Sequence, residues 1–139
     1  MKRKRLNQKG AAAVEFGLVL PVLLVLVFGI VEFSVALYDK AVVTNASREG
    51  ARAGIVFRDP PVTNDEISSI VSTYCQNRLI TFGTPSPMTT TVVREPPGVS
   101  GDDLTVQVQY QYQFLAIPRF VTGITGGIQL DAQTIMRME

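Results

Sequence analysis

A single acidic residue, Glu15, stands at the edge of an otherwise apolar stretch. Every residue from Phe16 to Val31 is apolar, Gly or Pro, and Gly10 with three alanines lies shortly before Glu15. A carboxylate at the centre of a membrane helix costs about 2.5–3.5 kcal/mol on insertion scales. Near the interface the cost is smaller, and the N-terminus of a helix favours an anion. Glu15 is therefore either an interfacial acid or one half of a charge pair.

A charge pair at Glu15 would need a cation that the uncut chain does not place nearby. Cleavage between Gly10 and Ala11 would create an α-amino group, which is mostly protonated at neutral pH. Glu15 of one subunit could then pair with that ammonium group on a neighbouring subunit. Inside an apolar bundle such a pair mainly avoids the cost of leaving either charge alone. It would therefore set the register between helices more than it would add stability.

The composition argues against an enzyme. The chain has no His and one Cys, Cys75, which removes the usual general base, the Ser-His-Asp arrangement and multi-Cys metal sites. No phosphate-binding loop, dinucleotide motif or zinc-ligand spacing occurs. Asp102 and Asp103 are adjacent residues of a predicted turn and not a pair of catalytic acids. We expect no catalytic residue, cofactor, metal or small-molecule substrate, and we expect Cys75 to be a buried apolar side chain.

A basic head and a long helix must position Gly10 and Glu15. Five basic residues and no acid precede Gly10, while the rest of the chain has more acidic than basic residues, so no nucleic-acid partner is expected. The apolar run from Ala11 to Val31 is long enough to span a membrane, and the basic head favours a cytoplasmic N-terminus. A cleaved secretory signal fits poorly, because its apolar core is shorter and its small residues follow that core.

The helical pattern continues from Glu32 to about Val56 and carries a stripe of apolar and small residues. Small residues let another backbone approach closely. We expect the stripe to pack on the protein's own C-terminal domain, with a neighbouring subunit as the alternative. The charged residues of this segment are predicted to form a solvated face, with pairing between subunits as the alternative. The stripe comprises Leu37, Ala41, Val43, Ala46, Gly50, Ala53 and Phe57, and the charged residues are Glu32, Asp39, Lys40, Arg48, Glu49 and Arg52.

A small α+β domain is predicted after Asp59-Pro60-Pro61 breaks the long helix. Thr63 and Glu66 have the spacing of a capping box, and they predict an amphipathic helix from Asn64 to about Leu79. The simplest architecture is a three-stranded antiparallel sheet that packs one face on the long helix and exposes its polar face. The strands are predicted at Met88–Arg94, Leu104–Phe114 and Ile128–Met138, with loops at Gly83–Pro87 and Ile117–Gly127.

The stretch from Gly10 to Phe16 resembles the processing site of type IV prepilins. The longer N-terminal segment, about residues 9–56, resembles the TadE-like branch, which comprises minor pilins or pseudopilins of tight-adherence (Flp, type IVb) pilus systems. The combination is specific, whereas a Gly followed by a Glu five residues later would by itself be a weak signal. The matching residues are Gly10, Glu15 with Phe16, Pro21, the stretch from Gly29 to Phe33 and the stretch from Ala46 to Arg52.

The resemblance implies that a prepilin peptidase cuts after Gly10, so that Ala11 becomes the first residue and Glu15 with Phe16 serve in assembly. It implies a basic leader at 1–10, a transmembrane and stalk helix at 11–57 and a pilin-like extracytoplasmic domain at 58–139.

The expected location is the inner membrane, in a single pass. The expected role is entry into, or priming of, a pilus that acts in surface adhesion. The expected partners are the prepilin peptidase, other pilin subunits, the pilus assembly machinery and membrane lipid. Two alternatives are an uncleaved signal-anchored binding module and a pseudopilin of a general secretion apparatus.

Overall fold

The computed structural model describes residues 8–81, 86–94, 101–114 and 127–138. Within them the chain forms two helices and three strands, which confirms the predicted α+β layout of a long N-terminal helix, a short helix and an antiparallel sheet. In chain order these elements are α1 (Gln8–Ile55), α2 (Asn64–Gln76), β1 (Met88–Arg94), β2 (Asp103–Tyr112) and β3 (Ile128–Arg137).

The sheet has the order β1-β2-β3, with both pairs of neighbours antiparallel. Its central strand, β2, alternates between buried and half-buried residues as its sequence predicts, because one face lies on the core. The strand begins at Asp103 and ends at Tyr112, which is close to the predicted bounds, and β3 ends at Arg137. Residues 83–85 of the loop predicted at Gly83–Pro87 and residues 117–126 of the loop predicted at Ile117–Gly127 lie outside the described residues. The buried face of β2 comprises Leu104, Val106, Val108, Tyr110 and Tyr112.

Helix α2 begins at the predicted capping box. The Thr63 side chain accepts a hydrogen bond from the backbone N–H of Glu66, and the Glu66 carboxylate accepts one from the backbone N–H of Thr63 at 2.8 Å. The helix ends at Gln76, earlier than predicted, because the Cys75 carbonyl accepts from the N–H groups of Arg78 and Leu79 in a closing turn. Its apolar face, which includes Cys75, is buried against α1 and the sheet, as predicted for that thiol.

Helix α1 divides at Glu32 into a free part and a packed part. From residue 10 to residue 31 none of its residues is buried, whereas from Glu32 onward a stripe along one face packs against β2, β3 and α2. An added Cβ at Gly50 would lie 2.6 Å from a methyl group of Val71 on α2. The predicted packing of the small residues on the protein's own domain is therefore confirmed at Gly50.

The predicted composition of the stripe is partly wrong. Leu37, Ala41 and Phe57 are exposed, whereas Glu32 and Asp39, predicted to be solvated, are buried. The buried face follows steps of four and three residues, and the two acids lie on it because the sheet covers that side of α1. It consists of Glu32, Ala36, Asp39, Val43, Ala46, Gly50 and Gly54, flanked by Val42, Ser47 and Ala51.

Candidate membrane anchor and processing site

The free part of α1 has the length and composition of a membrane span. It belongs to the one helix in the described part of the chain that is apolar and long enough to cross a membrane. Its apolar side chains point outward on all sides, and Phe16 and Leu18 are among the most exposed. A helix that is apolar all round needs an apolar surrounding. The chain therefore has the form of a single-pass anchor that carries a C-terminal domain.

Gly10 and Ala11 lie at the beginning of α1, two residues after the helix starts at Gln8. Both residues are exposed, and an added Cβ at Gly10 would meet no atom within 4 Å. The first N–H groups of a helix lack partners within that helix, and Gly is less favourable in a helix than Ala by about 1 kcal/mol. The bond between Gly10 and Ala11 therefore lies where local unwinding, which a peptidase needs, costs little.

Glu15 and Phe16 follow one turn later on the same helix. Glu15 is four residues after Ala11, so the two share a face of α1, and both Glu15 and Phe16 are exposed. No ion pair of Glu15 occurs among the residues that the structure describes. The helix therefore brings Gly10, Ala11, Glu15 and Phe16 together at one end, on a surface that the C-terminal domain does not cover.

A second acidic residue, Asp39, was not expected to be buried. One carboxylate oxygen, Oδ1, accepts a hydrogen bond of 2.9 Å from the backbone N–H of Ile80. The other, Oδ2, has no hydrogen-bond partner among the described residues. Burial raises the pKa of the Asp39 carboxyl above its ordinary value, and the bond from Ile80 opposes that shift. The spacing of Asp39 from Ala36 and Val43 is the sequence signal that could have identified it as a buried residue.

Three contacts fix how far along α1 the sheet extends. The Tyr112 hydroxyl lies 3.5 Å from the backbone oxygen of Glu32, to which it donates. The Lys40 ammonium group donates to the backbone oxygen of Asp131. The hydroxyl groups of Ser47 and Thr134 are 2.8 Å apart and share a hydrogen bond. Strand β3 therefore runs parallel to α1, and the end of the sheet nearest the free part of α1 lies beside Glu32.

The described residues contain no group of three or more His, Cys, Asp or Glu side chains placed to hold a metal ion. Burial raises the pKa of the Cys75 thiol to about 11. Since the thiolate is the nucleophilic form of Cys, this environment keeps the thiol in its unreactive state. The geometry of the described residues is that of an anchor joined to a packed domain.

Comparison with known proteins agrees with this geometry. The family model described as TadE-like protein matches residues 10–52, a range that holds the free part of α1 and most of its packed part. The searches of curated proteins and of solved structures found no match to this chain. The TadE-like family comprises pilus-associated structural proteins and not enzymes. Over residues 10–52 the chain is thus similar to the TadE-like family, which is consistent with a TadE-like protein of tight-adherence pilus systems.

Proposed function

We propose that this protein is a prepilin-type subunit, a minor pilin or pseudopilin, that enters or primes a tight-adherence type IVb pilus acting in surface adhesion. The observation that carries the proposal is the TadE-like match over residues 10–52. It coincides with a helix whose first part is apolar, exposed and unused by the protein's own domain.

In this proposal the chain divides into a leader at 1–10, a transmembrane and stalk helix at 11–57 and an extracytoplasmic domain at 58–139. The basic residues of the leader stay in the cytoplasm because positive charge is retained on that side of the inner membrane. The prepilin peptidase removes the leader between Gly10 and Ala11. The new α-amino group of Ala11 then faces membrane lipid or a neighbouring helix.

Glu15 serves assembly in this proposal because the free part of α1 offers its carboxylate no partner among the described residues. A carboxylate in an apolar surrounding is costly when it is alone. Pairing with the Ala11 ammonium group of a neighbouring subunit removes that cost and fixes the axial position of one helix against the next. The exposed ring of Phe16 beside it adds apolar surface to the same contact.

Cleavage is tested with two matched glycine variants. The full chain is expressed in the membrane with its cognate prepilin peptidase, and the mature N-terminus and intact mass are measured. Gly10→Val should keep residues 1–10, whereas Gly17→Val should be cut normally. Both glycines lie in α1, and an added Cβ meets nothing within 4 Å at either, so the pair separates recognition by the peptidase from a general effect on the helix.

Assembly is tested in the same cells. Glu15→Gln should be cut at the same bond but be lost from the sheared pilus fraction. Glu49→Gln, an exposed acid on the packed part of α1, should be assembled as the unaltered protein is. If the native protein from its own host keeps residues 1–10 while the peptidase is active, the pilin proposal fails. An uncleaved anchor carrying a binding domain would then account for the chain.

A further inference from the structure

The free part of α1 is no longer than a membrane is thick. From residue 10 to residue 31 the helix extends about 32 Å at ~1.5 Å per residue, and the hydrocarbon core of a bilayer is about 30 Å thick. The average tilt of about 20° reduces the height of the helix to roughly 30 Å. If Glu15 lies among the headgroups, the free helix above it is shorter still. No spacer therefore separates the span from the domain.

The lower end of the sheet lies beside the first packed residues of α1. The Tyr112 hydroxyl reaches the Glu32 carbonyl, and Tyr112 pairs with Ile128 across the sheet. A separate contact gives the same level. Lys40 is about 10.5 Å above Phe33 along the helix, and Asp131, which Lys40 contacts, is about 10 Å above Ile128 along β3. Both contacts place Ile128 beside α1 at the height of Phe33, which is just beyond the end of the free part at residue 31.

Apolar side chains lie at this level and, for Tyr38, about 7.5 Å above it along α1. Phe33, Tyr38 and Ile128 are exposed in the isolated chain, whereas Phe114 is half-buried. Phe33 is 61% exposed, Tyr38 is 47% exposed and Ile128 is 40% exposed. Phe114, two residues beyond Tyr112, packs edge-on against the Tyr112 ring with the ring centroids 5.5 Å apart. Aromatic side chains with a polar tip, such as Tyr38, are enriched where a membrane meets water. Phe33 and Tyr38 lie on α1, and Ile128 lies on the sheet, so two elements contribute to one apolar rim.

We propose that this rim, formed by Phe33, Tyr38, Phe114 and Ile128, is inserted in the headgroup layer, so that the domain sits directly on the lipid bilayer. The proposal rests on the membrane insertion assigned under the proposed function. It goes further because it names a lipid-contacting surface on the folded domain, outside the spanning segment. The rim contacts the lipid interface and not another protein, because the free part of α1 is too short to hold the rim away from the bilayer.

The opposite end of the sheet is far from the bilayer in this arrangement. Ile135 lies about 24 Å above Ile128 along β3, and it is 58% exposed. It is therefore a matched control, because it is the same residue type on the same strand. The chain contains no Trp, so one introduced Trp reports on its own position without interference.

The experiment uses three single-Trp variants of the full chain in phosphatidylcholine proteoliposomes. The quenchers are lipids that carry bromine or a spin label, either near the headgroup or deep in the acyl chain. Val25→Trp, inside the span, should be quenched most by the deep label. Ile128→Trp should be quenched by the shallow label, and Ile135→Trp should not be quenched. Far-UV and near-UV circular dichroism of each variant establishes that the domain is folded, and Phe33→Trp is a second reporter of the rim if Ile128→Trp fails to fold.

The outcomes distinguish the two proposals. If the Val25→Trp variant is quenched and the Ile128→Trp variant is not, the chain is inserted but the domain does not sit on lipid. That result overturns this inference and leaves the proposed function intact. A blue-shifted but unquenched emission from Ile128→Trp would assign the rim to a second copy of the chain and would also overturn it. Equal quenching of Ile128→Trp and Ile135→Trp would mean that the whole strand lies flat on lipid, which contradicts contact through the rim alone. If Val25→Trp is not quenched, the membrane span fails, and both proposals fail with it.

Discussion

Helices α1 and α2 approach each other closely at Gly50. A methyl group added there changes the stability of the domain, and whether it stabilises or destabilises depends on the neighbouring side chain of Val71. The ideal Cβ of an Ala would be 2.6 Å from the Cγ2 atom of Val71 and 3.4 Å from that of Ile67. Val71 is β-branched and fully buried, so it has little freedom to rotate away. The helices must therefore separate slightly, or the Val71 side chain must leave its preferred rotamer.

The expected magnitude is the difference of two opposing effects. Overpacking a tight core costs about 1–3 kcal/mol. Replacing Gly by Ala within a helix returns about 1 kcal/mol through backbone preference. Gly50→Ala should therefore lower the free energy of unfolding of the domain by about 1 kcal/mol. In a Val71→Ala background the obstructing methyl group is gone, and the same substitution should instead raise the free energy of unfolding by about 1 kcal/mol.

The measurement is a double-mutant cycle on the full chain in detergent micelles. Urea unfolding is followed by tyrosine fluorescence and near-UV circular dichroism, because Tyr110 and Tyr112 are buried on β2 and no Trp obscures them. The micelle keeps the free part of α1 solvated in all four proteins. A stabilising effect of Gly50→Ala in the unaltered chain, or an equal loss in both backgrounds, would refute the close contact between α1 and α2.

Two further predictions concern buried groups. Burial raises the pKa of the Asp39 carboxyl in the folded state. Between its ordinary pKa and the raised one, the folded protein therefore holds a proton that the unfolded chain has released. The contribution of Asp39 to the free energy of unfolding falls as pH rises through that range. In urea titrations, Asp39→Asn should reduce the loss of stability as pH rises from about 4 to about 7, whereas the exposed control Glu49→Gln should not. If stability depends on pH in the Asp39→Asn variant as it does in the unaltered protein, the burial of Asp39 is contradicted. Cys75, with its pKa at about 11, should react with iodoacetamide at about pH 8 roughly a hundredfold more slowly in the folded protein than in urea, and equal rates would contradict its burial.

The local elements were predictable because their signals do not depend on distant contacts. Alternation along β2 predicts which of its faces is buried, whatever the sheet packs against. The capping box of Thr63 and Glu66 is complete within four residues. The apolar run before Glu32 is long enough to indicate a span by itself. The processing and assembly roles of Gly10, Ala11, Glu15 and Phe16 remain predictions, since they depend on a peptidase and on other subunits.

The burial of Glu32 and Asp39 could not be predicted from charge, because charged residues on a helix are normally solvated. What buries them is the sheet, whose position along α1 depends on long-range contacts such as that between Ser47 and Thr134. The buried face of α1 differs from the predicted one for a related reason. Apolar residues surround α1 on several sides near Leu37, so periodicity alone leaves more than one face that could be buried.

The burial of the small-residue stripe restricts how this subunit can contact others. Ala46, Gly50 and Gly54 are covered by the chain's own sheet and α2, so they are closed to a neighbouring helix as long as the domain stays folded. Contacts between subunits that involve α1 must then use its free part or its outward face beyond Glu32, where Arg48 and Arg52 are exposed. Residues 10–31 are the stretch of α1 that the chain's own domain leaves free on every side for a partner helix. That is the segment with the unpartnered carboxylate of Glu15, so the proposed register pair lies where the fold leaves a helix free to be paired.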